Sequence, residues 1–257
     1  MCFNYNYKGQ DDELLAEVAW MLTIEKLEVG YEDFHLRVGG MRFGHGLHVV
    51  LGPNGGGKSS FMRGIIGYGG ETIIGRDIRH EGGRVGHTGR FLSYLPQSTP
   101  PFRISVEEYI GLTAEAPDTM LRDELLRTFE LAHLRRQTVE ALSGGEFKRA
   151  QCAQIAMEQK AVIMLDEVEQ GLDLKYQHRI LKWMKDEAAK KTVIANMHDV
   201  PLAMTYADTV TMMRGGKVIA HGIGPGEVTS EMLTDCYSTP LTVEHHRGRM
   251  WVFHDAL

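Results

Sequence analysis

Long apolar runs are missing from this sequence. The longest of consequence, AVIML at 161–165, falls far short of the roughly 20 residues that cross a bilayer as a helix. A chain that spans a membrane by itself is therefore excluded. Cysteine is scarce too: Cys2, Cys152 and Cys236 are odd in number and widely scattered. That argues against a disulfide framework or a cysteine-ligated metal and for reduced thiols, two of them buried. Positive charge is not in excess, because the formal net charge is -6. No global basic field is present to attract nucleic acid or an anionic membrane. The first residues carry Asp11, Asp12 and Glu13 where a secretory signal would be basic and would lead into an apolar core. Together these absences point to a cytosolic protein that does not bind nucleic acid. Internal repeats and low-complexity stretches are also absent.

What remains is ordinary globular composition, with 43% hydrophobic and 24% charged residues over 257 positions, enough for one substantial core. Residues 1–20 read as an extension with an amphipathic helix around Leu14, Leu15, Val18 and Met21. Residues 21–257 read as one domain that begins with the alternating strand LTIEKLEVGY. Strand patterns recur at 46–52, 71–78 and 90–97, then again in AVIMLDE and TVIANMHD; helical patterns follow Lys58 and fill LKYQHRILKWMKDEAAKK and VPLAMTYA. TVTMMRGGKVIAHG reads as a hairpin. LTVEHHRGRMWVF, within the closing stretch of about 241–254, reads as another, with Arg247 and Gly248 at its tip. From Ser105 to about Lys160 the pattern is helical throughout, opening on a good N-cap. Alternation in the flanks around an all-helical middle, about 99–160, predicts an α/β sheet domain with a helical insertion. His245, His246 and His254 match no standard metal-ligand spacing and read as exposed hairpin residues.

The strongest motif is GPNGGGKSS at 52–60, set between a strand and a helix. Gly52, four residues, then Gly57, Lys58 and Ser59 satisfy the phosphate-binding loop pattern. Glycines such as Gly55 and Gly57, beside Asn54, let successive N–H groups point at a polyphosphate, and the helix dipole adds about half a positive charge at its N-terminus. Lys58 would neutralise the β- and γ-phosphates, Ser59 would give its hydroxyl to magnesium, and Ser60 would meet the α-phosphate. The chain should thus bind a nucleoside triphosphate. The Asn-Lys-x-Asp tetrapeptide of guanine readers is absent, which favours ATP.

AVIMLDEVEQGLD ends an apolar strand in Asp166 and Glu167, at the sheet edge where open α/β folds collect ligands. Neighbouring strand residues face opposite ways, so the two carboxylates should differ in task. Asp166 suits magnesium, through water, and Glu167 suits orienting and polarising an attacking water. Two anions beside a triphosphate imply the metal.

A second glycine-rich helix start, LSGGEFKR at 142–149, looks redundant until the motifs are taken together. GPNGGGKSS, YLPQ, LSGGE, VIMLDE, GLD and NMHD occur in the order and approximate spacing of the nucleotide-binding subunit of ATP-binding cassette (ABC) transporters, and the chain resembles that family from about residue 22 to about 225. The resemblance implies a P-loop NTPase (RecA-like) core with N-terminal antiparallel β elements and an inserted α-helical subdomain. It also implies a head-to-tail dimer in which each ATP lies between the P-loop of one copy and Ser143, Gly144 and Gly145 of the other. Two cradles then serve two ATP molecules. By the same resemblance Gln97 reaches magnesium and the attacking water, His198 contacts the γ-phosphate, Asp173 communicates across the dimer, and Tyr31 stacks on adenine. The plainer alternatives are a structural histidine at 198, a core tyrosine at 31, and a solvated helix face for Lys148 and Arg149. Val168 and Glu169 stand where the family usually has proline and a small polar residue, which puts an extra carboxylate near the hydrolytic site.

One cassette without a membrane span resembles the separate subunit of an importer, most similar to those serving iron-chelate, haem and cobalamin uptake. That implies permease partners in the membrane, an extracytoplasmic binding protein acting indirectly, and a place on the inner face of the cell membrane. Two other readings stay open: a soluble ABC ATPase of iron-sulfur cluster assembly, and a P-loop kinase, for which LSGGE would have no role.

Overall fold

A computed structural model of the chain describes residues 22–31, 33–68, 72–116, 118–246 and 249–254. The expected extension at 1–20 and the tip of the closing hairpin lie outside these residues. Strands β1 (Leu22–Gly30), β2 (His35–Val38), β3 (Met41–Phe43), β4 (Gly46–Leu51), β5 (Ile73–His80) and β6 (Gly83–Arg84) open the chain. Helix α1 (Lys58–Ile66) lies between β4 and β5. β7 (Leu92–Leu95) then leads into α2 (Val106–Gly111), α3 (Thr119–Thr128) and α4 (Gly144–Met157). After these, β8 (Val162–Asp166), α5 (Leu174–Ala188), β9 (Thr192–Asn196) and α6 (Val200–Tyr206) alternate. The chain ends with β10 (Thr209–Arg214), β11 (Lys217–Ile223), α7 (Ser230–Tyr237), β12 (Leu241–His246) and β13 (Arg249–His254).

The strands form a mixed six-stranded sheet ordered β11-β10-β4-β9-β8-β7, parallel except for the β10–β11 pair. A second sheet, β2-β1-β5-β6 with β3 also on β1, is antiparallel. The central parallel strands are buried along their whole length, as expected of strands covered on both faces. Alternate residues accordingly enter two cores. Leu47, Val49 and Leu51 join Ile163, Leu165, Val193 and Ala195 on one side. Val50, Met164 and Ile194 join Phe61, Met62 and Ile65 of α1, and Leu22, Ile24, Leu27 and Ile78 of the antiparallel sheet, on the other. Helix α1 is thus wedged between the two sheets, which fixes where its N-terminus points.

The helical middle is less continuous than its pattern predicts. α2 starts on a capping box of Ser105 and Glu108, α3 on Asp118, and single 3-10 turns at Ala132–Leu134 and Val139–Ala141 carry the chain to α4. α2 and α3 pack on α4 through Tyr109, Ile110, Leu125, Leu126 and Phe129, continuous with the core below the parallel sheet. The closing hairpin pairs β12 with β13 in register, Leu241 opposite His254, and packs against α6 and α7. Cys152 and Cys236 are free and buried.

Candidate functional site

The parallel strands deliver the site to one edge. After β4 the chain turns through Gly52 at φ 151°, where a Cβ would stand 2.0 Å from the Met213 carbonyl of β10; only glycine fits so close to a neighbouring strand. Gly57 caps α1 in a left-handed conformation at φ 104°, and its side-chain position would meet Phe34 at 2.9 Å. Among the described residues no side chain caps this helix start, and its first turn holds no acid. Its first N–H groups, which an α-helix cannot pair internally, are therefore left to a ligand.

Lys58 is buried, and its Nζ donates to the carbonyls of Gly52 at 2.7 Å and Pro53 at 3.1 Å. Burial draws its pKa down, while the charges of Glu167 and Asp166 resist that shift. A cavity of about 590 Å³ opens over the loop, lined by Asn54, Gly55, Gly57, Lys58, Ser59 and Ser60. Gln97, Glu167 and His198 close one end of it, and Tyr31, 43% exposed rather than a core residue, lies at its wall. Gly56, Phe34 and Gln170 line it as well. The glycine run already contained the first; the other two depend on loops folding over the site.

Asp166 ends β8 almost completely buried. Its Oδ1 accepts from Ser59 Oγ at 3.3 Å and from Asn196 Nδ2, and its Oδ2 accepts from Tyr94 Oη at 3.4 Å. Burial first, and the Asp166 charge second, push the Tyr94 phenol far up, so it stays a donor. Asn196 is there because Asp166 and Asn196 are register partners on adjacent parallel strands. Glu167 is held from both sides: Gln97 Nε2 donates to its Oε2, and His198 Nε2 meets its Oε1. Its backbone sits at φ 54°, a sparsely populated region for a non-glycine residue. Ser59, Asp166 and Gln97 offer hydroxyl, carboxylate and amide oxygens, hard donors of the kind that suits magnesium, and the first two are already in contact.

Ser143, Gly144, Gly145 and Asp173 stand apart, for none of them lines this cavity. Ser143 caps α4 in a reciprocal box: its Oγ accepts from the Glu146 N–H at 3.4 Å, and its own N–H donates to Glu146 Oε2 at 2.8 Å. Asp173 caps α5 by accepting from the Tyr176 N–H at 3.1 Å. The helix that Ser143 starts is nonetheless tied to the site. Lys148 Nζ donates to the Gln97 carbonyl at 3.2 Å, and Gln151 bonds Thr99 just beyond. Arg149 corrects the expectation of a solvated face. It is buried, donates to the carbonyls of Phe129 and Glu130 at 2.6 and 3.0 Å, and stacks over the Tyr176 ring at 4.0 Å. A guanidinium finds helix-end carbonyls there because α3 is C-capped at Phe129 and the chain turns at Glu130, φ 53°.

A glycine-rich strand-to-helix loop with a buried lysine, facing a carboxylate pair at the end of a neighbouring parallel strand, defines a P-loop nucleotide-binding domain. The sequence model of the ABC transporter family matches residues 43–170. Hemin import ATP-binding protein HmuV of Aliivibrio fischeri is 32% identical over 215 residues, which cover 77% of this chain and 82% of that protein. HmuV of Rhodopseudomonas palustris is 30% identical over 222 residues, 77% and 80% of the two chains. The chain belongs to the ABC transporter ATP-binding family, and it binds and hydrolyses ATP. In fold it is similar to an inward-facing structure of a transporter assigned to the metal-chelate type, with a TM-score of 0.73 at 22% identity over 92% of this chain and 97% of that one. CbiO1 of Clostridium perfringens, part of the CbiONQ complex, shares the fold at a TM-score of 0.66 and 23% identity, over 81% of this chain and 90% of that one. Among the described residues no helix is long and apolar enough to cross a membrane.

Proposed function

We propose that this chain is the ATP-hydrolysing subunit of an importer for a metal chelate of the haem, iron-siderophore or cobalamin type. The observation that carries the catalytic part is the grip on Glu167, whose two oxygens are held by Gln97 and His198 at the end of a cavity floored by the phosphate loop. The backbone around Asn54, Gly55 and Gly57 and the Lys58 ammonium bind the polyphosphate, Ser60 reaches the α-phosphate, and Tyr31 stacks on adenine. Glu167 orients and polarises the attacking water, and His198 senses the γ-phosphate. Ser59, Asp166 and Gln97 would hold magnesium, which supplies charge neutralisation at the β- and γ-phosphate oxygens. Asn196 and Tyr94, both donating to Asp166, keep that carboxylate aimed at Ser59.

The cavity covers ATP from one side only. A second copy, turned head to tail, supplies Ser143, Gly144 and Gly145 to the γ-phosphate, and Asp173 relays between the two sites. ATP then stabilises the closed dimer by mass action and hydrolysis withdraws that support. Permease subunits in the membrane convert closure into transport, with an extracytoplasmic binding protein delivering cargo, so the chain works on the inner face of the cell membrane. Relatives that bear the names of hemin import proteins favour import over cluster assembly, despite the acidic residue at 169.

The test is uptake and Mg-ATP turnover by the chain with the membrane protein that co-purifies with it. A positioned general base contributes about 10²–10⁴-fold, so Glu167→Gln should lower kcat by that factor and abolish uptake of the transported chelate. Undiminished uptake of every chelate by the Gln variant would overturn the substrate class, and undiminished turnover would overturn the role of Glu167.

A further inference from the structure

One buried carboxyl group has no task in the mechanism above. Glu169 lies two residues beyond Glu167 and is 2% exposed, at a position where a small polar side chain would bury no acid. Its Oε1 accepts the main-chain N–H of His198 at 3.1 Å. Among the described residues nothing hydrogen-bonds its equally buried Oε2. An acid kept out of water with one oxygen unmet is unfavourable in isolation. Burial raises its pKa, against the opposing pull of its own backbone N–H and then of the His198 N–H. Something therefore has to be gained where the bonded oxygen points.

The connectivity shows what that is. From Glu167 the chain runs through buried Val168 to Glu169, whose side chain holds the His198 backbone, while the His198 ring returns to Glu167 Oε1. The turn and the histidine thus form a closed ring of covalent and hydrogen bonds. Gln177 Nε2 on α5 steadies the turn by donating to the Glu169 carbonyl at 3.3 Å. The ring also spans Glu167 itself, whose positive φ needs its surroundings to hold it. His198 is consequently fixed twice, by its backbone to Glu169 and by its ring to the carboxylate it serves.

We infer that Glu169 is a positioning residue for ATP hydrolysis: its carboxyl group clamps the His198 backbone to the turn that carries Glu167 and so sets how the imidazole meets that carboxylate. The inference rests on the roles proposed for Glu167 and His198. Its mark is a loss in turnover without a loss in binding, because Glu169 does not line the nucleotide cavity.

The experiment is steady-state Mg-ATP hydrolysis by the full-length chain carrying Glu169→Ala, Glu169→Gln, His198→Ala or the Glu169→Ala/His198→Ala pair, with thermal melting of each. A misplacement near 1 Å can cost about 100-fold, so Glu169→Ala should lower kcat about 10- to 100-fold and leave KM for ATP within about 3-fold. Glu169→Gln keeps an acceptor for the His198 N–H and should recover most of that loss. In the His198→Ala background Glu169→Ala should add less than about 3-fold, the non-additivity expected of residues acting through one another. If Glu169→Ala melts too early to assay, Glu169→Ser, which is too short to keep the bond, takes its place with the same expectations. An unchanged kcat, a loss confined to KM, no recovery in the Gln variant, or full additivity with His198→Ala would overturn the inference. Glu167→Gln, run alongside, separates the two failures: if it leaves turnover intact the site assignment itself is wrong, and if it abolishes turnover while Glu169→Ala does nothing, only the clamp is wrong.

Discussion

Two helices of this chain begin at glycine-rich turns, and they prepare their N-termini in opposite ways. α1 starts from Gly57 with no side-chain cap and no acid in its first turn, opens into a cavity, and has Lys58 buried at its mouth. α4 starts from Ser143 with a complete capping box, in which Glu146 already answers the helix dipole and Ser143 already uses its hydroxyl. Its first residues, Ser143 and Gly144, are exposed, and neither lines the cavity over α1. Both could face phosphate, yet only α1 is arranged to hold it unaided. A helix end that is self-satisfied in the single chain can contribute only where another surface brings the phosphate to it, which is the physical content of the proposed pairing.

The comparison can be broken most forcefully by damaging each end in turn. Charge-assisted hydrogen bonds are worth about 1.5–3 kcal/mol, so Lys58→Ala should weaken equilibrium ATP binding by about 10- to 150-fold, read with a fluorescent ATP analogue. Ser143→Arg should leave the same binding, measured at concentrations where the chain is monomeric, within about 3-fold. Equal losses in the two variants would mean that both helix ends act on one nucleotide within one chain.

A smaller effect sharpens how α4 is held. Glu130 accepts from Lys175 and from Tyr176, and pairs with Arg179 of α5. Its carbonyl also receives Arg149 of α4. The Lys175 bond, with Tyr176 and Arg179 adding to it, lowers the Glu130 pKa from its ordinary 4.5 to about 2. For an acid with a depressed folded pKa the stabilisation is complete above the unfolded value and is lost as pH falls through the folded one. Glu130→Gln should therefore melt earlier than the unaltered chain at neutral pH, by a margin that narrows between pH 4.5 and about 2. A margin independent of pH would show that the ion pairs at this turn contribute nothing.

The sequence exposes the two helix starts equally and does not reveal how they differ. β4, β8 and β9 are legible because strands buried on both faces must be apolar throughout, and α5 because its apolar stripe and its Asp173 cap are local. β2 and β3 are too short to carry a period, and 35–43 hides a pair of strands around Gly39 and Gly40. Gln97, Glu167 and His198 are visible through motifs, but contact between residues 70 and 31 positions apart depends on β7, β8 and β9 pairing in register. Glu169 is legible as an extra carboxylate near the hydrolytic site, but its burial and that of Arg149 are hidden by their chemistry. A charged side chain in a helix or turn reads as solvated, and both are buried only because partners from other elements, the carbonyls of Phe129 and Glu130 and the His198 N–H, come to meet them.

The dependence of turnover on a second copy is tested most directly by specific ATPase activity across a dilution series of the full-length chain, with the unaltered protein and Ser143→Arg side by side. Activity per molecule that falls on dilution, and is about 10²- to 10³-fold lower in the variant, is the expected result. Activity per molecule that stays constant down to concentrations where the chain is monomeric, and survives Ser143→Arg, would contradict it.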